Sequence, residues 1–318
     1  MQVKNFLQTM NDGTEIAVNQ WCPDEVANAK AVIVLSHGML EHALRYDRIG
    51  SIFADNGYVF SAHDHRGHGK TAMTAEQKGD GTFGLLSKKD GFNKVVADLT
   101  AVIKKAKEDF PGKKIVLFGH SFGSFVAQAY IERYGNEIDG VVICGSSGPM
   151  NSLAKKGRAL IRFMSLFHKP EYKSKFLQRK IFESYFDRID NPKTEFDWIS
   201  KNTLNIDMYM NDSWCGGVAS LGFFRDLMDG LLMVHNPEAM KKIPTSLPVF
   251  IIAGSEDPVG GYGKRVTELS EIYKANGMTS VSLKLYEGDR HEILNEDDSD
   301  TVIADVEKWI DGSVLANR

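Results

Sequence analysis

Short, almost wholly apolar runs recur along the chain and are separated by polar or amphipathic stretches. A strand that is buried on both faces of a parallel sheet has this uninterrupted apolar pattern. The pattern predicts such strands at several places, with a more alternating one at residues 281–288. The uninterrupted runs lie at residues 31–38, 58–64, 114–121, 139–146 and 247–255.

Helical periodicity fills several of the stretches between these runs. From residue 92 to 106, apolar side chains recur at i, i+3, i+4 and i+7, and Pro111 and Gly112 end the pattern. Residues 300–314 form a second amphipathic helix, and an Asn-Asp-Gly turn signal at residues 11–13 predicts a β-hairpin. Strands that alternate with helices predict an α/β fold with a mostly parallel central sheet flanked by helices.

The alternation stops between two late strands. About a hundred residues separate the runs at 139–146 and 247–255, whereas roughly twenty residues are enough for a crossover connection. This stretch carries helical and irregular sequence without a clear strand pattern. We therefore predict a core formed by residues 1–147 and 247–318, with residues 148–246 inserted as a helical cap.

Composition and charge exclude several classes of protein. The chain is 42% hydrophobic and 25% charged, and its net charge of −4 gives no general attraction to nucleic acid. Its cysteines, Cys22, Cys144 and Cys215, lie far apart, which argues against a disulfide framework or a cysteine zinc site. The first residues lack the apolar core of a signal peptide, and no run reaches the length of a membrane span. We expect a cytoplasmic protein.

A G-x-S-x-G motif, with Gly119, Ser121 and Gly123, stands between a predicted strand and a helical run. This context is typical of a nucleophile elbow, in which a sharp turn exposes the serine hydroxyl at the edge of the sheet. The turn strains the serine backbone and leaves no room for side chains two residues away, which accounts for both glycines. Ser121 is therefore the candidate nucleophile.

A serine hydroxyl needs a base that takes its proton, and the base needs an acid that orients it. In elbow-type hydrolases the acid and then the histidine follow the serine along the chain. His291 directly follows a predicted strand, whereas His168 and His235 lie within the insertion. His291 is therefore the candidate base.

The candidate acid lies in the loop after the run at residues 247–255. Asp257 and Glu256 are adjacent there, and Pro258 after Asp257 favours the aspartate. An oxyanion intermediate also needs two preorganised backbone N–H groups. The amide of Phe122 supplies one, and Met39, after the turn at Gly38, supplies the other.

Three histidines, His63, His65 and His68, form the pattern H-x-H-x-x-H. Because imidazole is a common zinc ligand, a metallohydrolase is an alternative hypothesis. That site needs further ligands and leaves the elbow and His291 without a role. We therefore favour serine chemistry and predict no metal.

Five motifs together resemble the monoacylglycerol lipase and lysophospholipase branch of the α/β-hydrolases. They are HGMLEHALRYD, HDHRGHGKT, GHSFGS, GSEDPVG and RHEILNE, in this order, from about residue 36 to 296. The resemblance implies the α/β-hydrolase fold and no metal or organic cofactor. It also implies Ser121 as nucleophile, Asp257 as acid and His291 as base, with Met39 and Phe122 at the oxyanion hole.

The resemblance carries two further implications. The D-x-R-G-x-G pattern within HDHRGHG is a structural loop beside the active site in this family, held by Asp64 and Arg66. Mammalian monoacylglycerol lipase has Ala-Gly where Met39 and Leu40 stand here, which changes the shape of the acyl site.

We expect substrate contacts from the cap and from residues 38–41, which we call the oxyanion loop because it contains Met39. Gly38, Leu40 and Glu41 are the candidates in the loop, and Cys215, Phe223 and Phe224 are those in the cap. The apolar run at 221–233 has two equal interpretations, namely an acyl tunnel or packing of the cap itself.

The cap is electrically polarised. Residues 151–180 carry nine Lys or Arg against one acidic residue, whereas residues 181–240 carry ten acidic residues against four basic ones. The apolar side chains of the basic half have two interpretations. In one, they rest on an anionic membrane surface. In the other, which we favour, they pack inside the protein, as helical spacing more often indicates. These side chains are Leu160, Ile161, Phe163, Met164, Leu166 and Phe167.

We predict a serine ester hydrolase that acts on single-chain lipid esters such as monoacylglycerols. Alternatives are a lysophospholipase or a general carboxylesterase; a peptidase, a metallohydrolase and an inactive binding protein are further hypotheses. The sequence does not determine the oligomeric state.

Overall fold

A computed structural model describes residues 1–316, and the following statements concern those residues. One eight-stranded sheet runs through the molecule in the order β1-β2-β4-β3-β5-β6-β7-β8. The first two strands are antiparallel to their neighbours, and β4 to β8 pair in parallel with β3 and with one another. The strands are β1 Gln2–Thr9, β2 Glu15–Cys22, β3 Ala31–Ser36, β4 Val59–His63, β5 Lys114–His120, β6 Gly140–Cys144, β7 Val249–Gly254 and β8 Val281–Tyr286.

Each predicted strand is present, and the α/β fold is confirmed. Residues of β3, β4, β5, β6 and β7 are almost all buried, as expected for strands covered on both faces. The hairpin between β1 and β2 turns at Gly13, where a φ of 83° requires the left-handed conformation that glycine adopts easily.

Helices cover both faces of the sheet. On one face, α3, α4, α8 and α10 bury residues such as Phe92 and Tyr273, and on the other face α1 and α11 bury Phe53 and Ile303. The helices are α1 Asp47–Asp55, α2 Gly69–Lys78, α3 Gly91–Asp109, α4 Phe122–Tyr134, α5 Asn151–Met164, α6 Lys175–Phe182, α7 Thr203–Asn211, α8 Leu221–Val234, α9 Pro237–Met240, α10 Lys264–Ala275 and α11 Ser299–Trp309.

The segment between β6 and β7 contains α5 to α9 and, in the described residues, a single isolated bridge between Lys173 and Ser220 in place of a sheet strand. Helix α8 packs directly on core helices α3 and α4, so this part of the insertion lies against the core. Helices α5 and α6 lie farther out and carry the exposed basic side chains. The helical character predicted for the insertion is present.

The apolar side chains of the basic half divide into two groups. Ile161 is 1% exposed and packs inward, as we favoured for the whole set. That interpretation is wrong for Phe163, Leu166 and Phe167, which are 61%, 74% and 70% exposed, and for Leu160 at 38%. Leu166 and Phe167 lie beyond the end of α5 at Met164, whereas Leu160 and Phe163 lie within α5 but off the face that buries Ala154 and Ile161. Among the described residues, no helix is long and apolar enough to span a membrane.

Candidate active site

The backbone at Ser121 is strained in the way that a nucleophile elbow requires. Ser121 has a φ of 52° and joins β5 to α4. A Cβ atom on Gly123 would lie 1.9 Å from the carbonyl oxygen of Ser36, and one on Gly119 would lie 2.7 Å from the Cβ of Ala127. Only glycine fits at these two positions, so the glycine spacing of the motif follows from steric exclusion.

The structure brings Ser121, His291 and Asp257 together from loops that follow β5, β8 and β7. The Oγ of Ser121 lies 2.7 Å from Nε2 of His291, and Nδ1 of His291 lies 3.0 Å from Oδ1 of Asp257. His291 is 2% exposed and Asp257 is fully buried. This connectivity lets the imidazole accept the serine proton while the carboxylate stabilises the resulting imidazolium ion.

Asp257 and Glu256 have different environments, although both were candidate acids. The backbone N–H of Val259 donates to Oδ1 of Asp257 at 2.9 Å, which fixes the carboxylate that faces His291. Glu256 is half-buried, and its backbone N–H donates to the carbonyl oxygen of Asp289. The geometry therefore favours Asp257.

Backbone amides are available for an oxyanion beside Ser121. Phe122 is the first residue of α4, so its N–H has no partner within the helix. Met39 lines both cavities that reach Ser121, and Gly38 approaches so closely that an added Cβ would lie 3.1 Å from the Cβ of Ser121. In the described part of the chain, neither the Met39 nor the Phe122 amide donates to another group. Both are positioned to donate to a substrate oxygen.

Glu41 was expected to contact substrate, but its carboxylate is already occupied. Its Oε1 accepts hydrogen bonds from the Gly38 amide at 2.5 Å and from the Tyr46 hydroxyl at 2.9 Å. Its Oε2 accepts from Arg45 at 2.8 Å. Glu41 borders the cavity, yet these bonds direct it toward the oxyanion loop and away from a ligand.

A buried ionic network extends from Glu41 to the residue after His291. Arg45 donates two hydrogen bonds to Glu292, at 2.7 and 2.8 Å. Burial is the largest influence on the pKa of His120 and lowers it, but the hydrogen bond with Glu41 and the charges of Glu41 and Glu292 together raise that pKa overall. The same hydrogen bond and the charge of Arg45 outweigh burial to hold the pKa of Glu41 well below its usual value. No local sequence pattern indicates this network, because Arg45 and Glu292 are 247 positions apart and meet only in the folded chain.

The loop after β4 is held by buried polar contacts. The carboxylate of Asp64 accepts from the backbone N–H groups of Ala43 and Lys70 at 2.8 and 2.7 Å. Arg66 pairs with Asp98 and Asp12. The structural role expected for Asp64 and Arg66 is therefore present.

The histidines of that loop do not converge on a common point. Nε2 of His65 lies 3.0 Å from the carbonyl oxygen of His37, and Nδ1 of His68 lies 2.8 Å from that of Arg66. Burial lowers the pKa values of His63 and His68 to about 4, so both rings are neutral at pH 7. Within residues 1–316, these histidines are absent from the clusters able to hold a metal ion, which argues against the metallohydrolase hypothesis.

Two cavities meet at Ser121, and both are lined by Met39, Phe182 and Trp198. The first, the polar cavity, has a volume of about 710 Å³ and is bordered by polar groups. The second, the apolar cavity, has a volume of about 750 Å³. The rings of Phe182 and Trp198 stack at 5.6 Å and separate the two. Both linings are mixed, and the names refer to the groups that distinguish them. The polar cavity is bordered by Glu41, His120, Gln178, Tyr209 and Glu292, but also by Leu40, Phe186, Phe196 and Ile199. The apolar cavity is bordered by Phe125, Leu153, Leu160, Leu177, Leu227, Met228 and Leu231, but also by charged residues such as Lys156, Asp187 and Arg265.

Phe223 and Phe224 were expected to line the substrate site, and this is wrong. Both are fully buried and line neither cavity, because the first turn of α8 packs against the core beside His68 and Phe122. Phe223 packs on Phe122 with ring centroids 5.3 Å apart. Leu227 and Met228, one turn later on α8, line the apolar cavity in their place.

Leu40 borders the polar cavity as expected, whereas Cys215 does not line it. Leu40 has a φ of 52°, an uncommon value for a residue with a side chain. Its carbonyl oxygen accepts from the Tyr209 hydroxyl at 3.0 Å and from the Gly216 amide at 3.1 Å. The cap thus holds the oxyanion loop through Leu40. Cys215 is half-buried, one residue from the cavity wall at Gly216.

Comparison with known proteins shows the family and the fold of the chain. Residues 27–298 match the Hydrolase_4 family, described as serine aminopeptidase, S33. Monoacylglycerol lipase of Mycolicibacterium smegmatis is 25% identical over 303 residues, which cover 94% of this chain and 93% of that protein. Monoglyceride lipase of Homo sapiens is 24% identical and covers 94% and 88%.

A solved structure is similar over nearly the whole chain. It is a thermostable carboxyl esterase from Bacillus coagulans in complex with glycerol, with a TM-score of 0.89, 28% identity and 99% of each chain covered. The family match spans most of the sequence, and these relatives cover both core and insertion. The chain therefore belongs to the Hydrolase_4 family and is a carboxylic ester hydrolase with the α/β-hydrolase fold.

Proposed function

We propose that this protein is a serine ester hydrolase that cleaves single-chain lipid esters, with monoacylglycerols as the main class. One observation carries the proposal: a serine within hydrogen-bond distance of a buried histidine lies where an apolar cavity meets a polar one. The relatives named monoacylglycerol lipase and the esterase solved with glycerol support the same substrate class.

The proposed reaction proceeds through an acyl-enzyme. His291 takes the hydroxyl proton of Ser121 while Oγ attacks the ester carbonyl carbon, and the N–H groups of Met39 and Phe122 stabilise the oxyanion. His291 then gives its proton to the leaving alcohol oxygen as the ester bond breaks. Water, deprotonated by the same imidazole, attacks the acyl-enzyme and releases the fatty acid. Asp257 keeps the imidazole oriented throughout.

The two cavities suggest how the substrate binds. The apolar cavity accommodates the acyl chain along Leu227, Met228 and Leu231. Each buried CH₂ group contributes about 0.8 kcal/mol, so chain length strongly affects binding. The polar cavity accommodates the alcohol, for which Gln178 and the Tyr209 side of the cap offer polar surface.

The family description raises the possibility of an aminopeptidase, which the charges of the site disfavour. An aminopeptidase needs a free carboxylate that binds the substrate ammonium group. Of the carboxylates that border the polar cavity, Glu183 and Glu195 are exposed to solvent, whereas Glu41 and Glu292 are buried. Arg45 bonds to both buried carboxylates and His120 lies 3.3 Å from Glu41. The buried carboxylates beside Ser121 are thus already neutralised, which favours an uncharged ester there.

We also propose that the cap contacts anionic membranes through an exposed apolar patch. The cap patch consists of Leu153, Leu160, Phe163, Leu166, Phe167 and Phe176, each at least 38% exposed. Exposed lysines and arginines of α5 and α6 surround it and complement anionic head groups. Leu153 and Leu160 also line the apolar cavity, so the patch continues into the proposed acyl site.

A substrate panel tests the proposed function. The purified protein is compared on monoacylglycerols from butyryl to oleoyl, on lysophosphatidylcholine, on p-nitrophenyl esters and on an alanine p-nitroanilide. We expect the highest kcat/KM for monoacylglycerols and no turnover of the anilide. A higher kcat/KM for lysophosphatidylcholine would favour the lysophospholipase alternative, and anilide turnover would favour the peptidase.

A further inference from the structure

A second group of chemically distinctive side chains lies between the cap and the oxyanion loop. His42, Asp212 and Cys215 each offer one potential ligand atom, and these atoms lie within 4.8 Å of one another. Nε2 of His42 lies 2.7 Å from Oδ2 of Asp212. His42 directly follows the oxyanion loop, whereas Asp212 and Cys215 belong to the cap loop, residues 212–216, between α7 and α8. The proposed ester hydrolysis uses none of the three.

We propose that His42, Asp212 and Cys215 bind a zinc-like divalent cation that clips the cap to the oxyanion loop. Imidazole nitrogen, thiolate sulfur and carboxylate oxygen are the ligands that zinc prefers. In a tetrahedral zinc site, ligand atoms are roughly 3.3–3.6 Å apart. The His42–Asp212 pair must open slightly and the thiol must approach by about 1 Å, which side-chain rotation provides.

The histidine is already held in place for such a role. His42 is 5% exposed, and its ring packs edge-on against Trp214 with centroids 5.1 Å apart. Its Nδ1 is buried and has no hydrogen-bond partner among the described residues. The unpartnered Nδ1 leaves the ring free to carry its proton there, which makes Nε2, facing Asp212, available as the ligand atom.

The backbone also positions the two loops before any metal binds. The carbonyl oxygen of Leu40 accepts from the Gly216 amide at 3.1 Å, which fixes the spacing between the loops. Within the cap loop, the Cys215 amide donates to the carbonyl oxygen of Asp212 at 3.0 Å. This turn places Asp212 and Cys215 on one side of the loop, so binding requires little loss of backbone freedom.

A route from solvent is present as well. The side chain of Asp212 is 30% exposed, and Cys215 is half-buried beside Gly216, which lines the polar cavity. A water molecule is therefore able to occupy the fourth position, as in zinc sites with three protein ligands. On binding, the thiol releases its proton to solvent, and the proton that Nε2 of His42 donates to Asp212 moves to Nδ1, so that Nε2 is free to coordinate.

Cobalt titration of the tag-free, metal-stripped full-length protein tests the site. We expect a thiolate-to-cobalt charge-transfer absorption at one equivalent, which zinc displaces. Cys215→Ser should abolish that absorption, and Asp212→Asn should weaken cobalt binding by about tenfold or more. Cys22→Ser is the matched control, because Cys22 is fully buried in β2 and should leave the spectrum unchanged.

Hydrogen exchange gives an independent readout of the clip. Zinc should slow exchange of the Gly216 amide in the wild-type protein and have no such effect in Cys215→Ser. An absent charge-transfer band, or one that persists in Cys215→Ser, would overturn the proposal. Because these measurements need no turnover, an inactive Ser121→Ala protein should bind cobalt normally, which separates this site from the proposed hydrolysis.

Discussion

The hydroxyl of Tyr209, in cap helix α7, donates a 3.0 Å hydrogen bond to the carbonyl oxygen of Leu40 in the oxyanion loop. Tyr209 is 6% exposed, and the Arg45 guanidinium lies 4.8 Å above its ring. Leu40 has a left-handed backbone, and the preceding residue, Met39, carries a proposed oxyanion donor. Tyr209 thus holds the backbone next to Met39, and it does not contact the proposed reacting atoms.

Tyr209→Phe should lower kcat by about fivefold, because the lost hydrogen bond contributes about 1 kcal/mol to holding the loop. KM for a short ester should change little, and the affinity for a trifluoromethyl ketone transition-state analogue should fall by the same factor as kcat. Tyr134→Phe, at an exposed tyrosine of α4, is the control. An unchanged kcat would contradict the positioning role of Tyr209.

Met228→Trp should shift substrate preference toward short acyl chains. The larger side chain fills part of the apolar cavity, which Met228 lines from α8. We expect kcat/KM for oleoyl esters to fall at least tenfold while acetyl esters retain most of their turnover. Val218→Trp, which alters the polar cavity instead, is the matched control and should leave the chain-length profile unchanged. Equal losses of kcat/KM on acetyl and oleoyl esters would show that the acyl chain does not bind in the apolar cavity.

The double variant Phe163→Ser/Phe167→Ser should weaken binding to vesicles of phosphatidylglycerol and phosphatidylcholine in a sedimentation assay. Binding of the wild-type protein should also fall as salt rises, because charge attracts the basic cap to anionic lipid. Leu204→Ser/Met208→Ser is the control, since both residues are 66% exposed but lie in the acidic half. Equal vesicle binding by both double variants would exclude the cap patch as the contact surface.

The free energy of unfolding should fall as pH decreases from 6.5 toward 4. Burial lowers the pKa values of His63 and His68 from 6.5 to about 4. The unfolded chain therefore takes up these protons first, and each histidine costs about 2 kcal/mol of stability by pH 5.

Urea unfolding of His63→Gln at pH 7 and pH 5 measures this effect. The variant should lose about 2 kcal/mol less than the wild-type protein between the two pH values. His168→Gln, at an exposed histidine of the cap, should match the wild-type pH dependence. An identical loss in the wild type and His63→Gln would show that His63 is not the titrating group.

The sequence was sufficient where a short segment determines its own geometry. The apolar runs predicted the strands, and Gly119 and Gly123 predicted the elbow, because steric exclusion acts within a few residues. Chain order and strand ends placed His291 and the acid loop near Ser121, since the carboxyl ends of parallel strands meet at one edge of the sheet.

Features that depend on side-chain direction or on distant contacts were not predictable. Helical periodicity identified α8 as apolar but did not show which of its turns reaches the cavity, so Phe223 was assigned to the place where Leu227, one turn later, lies. Glu41 bonds to Gly38, Tyr46 and Arg45 and approaches His120 of the elbow, and Arg45 in turn bonds to Glu292. No local pattern indicates such a network, because its members meet only in the folded chain.

Labelling with a fluorophosphonate probe tests the central claim, that Ser121 is the nucleophile activated by His291. The wild-type protein should be labelled at Ser121 in peptide mapping, and Ser121→Ala should lose both labelling and ester hydrolysis, with kcat reduced by about 10⁴-fold or more. Ser124→Ala is a matched control for labelling position, because its hydroxyl lies one turn away and bonds to Ser146. Ester hydrolysis by Ser121→Ala at the wild-type rate, or labelling at another residue, would contradict the account.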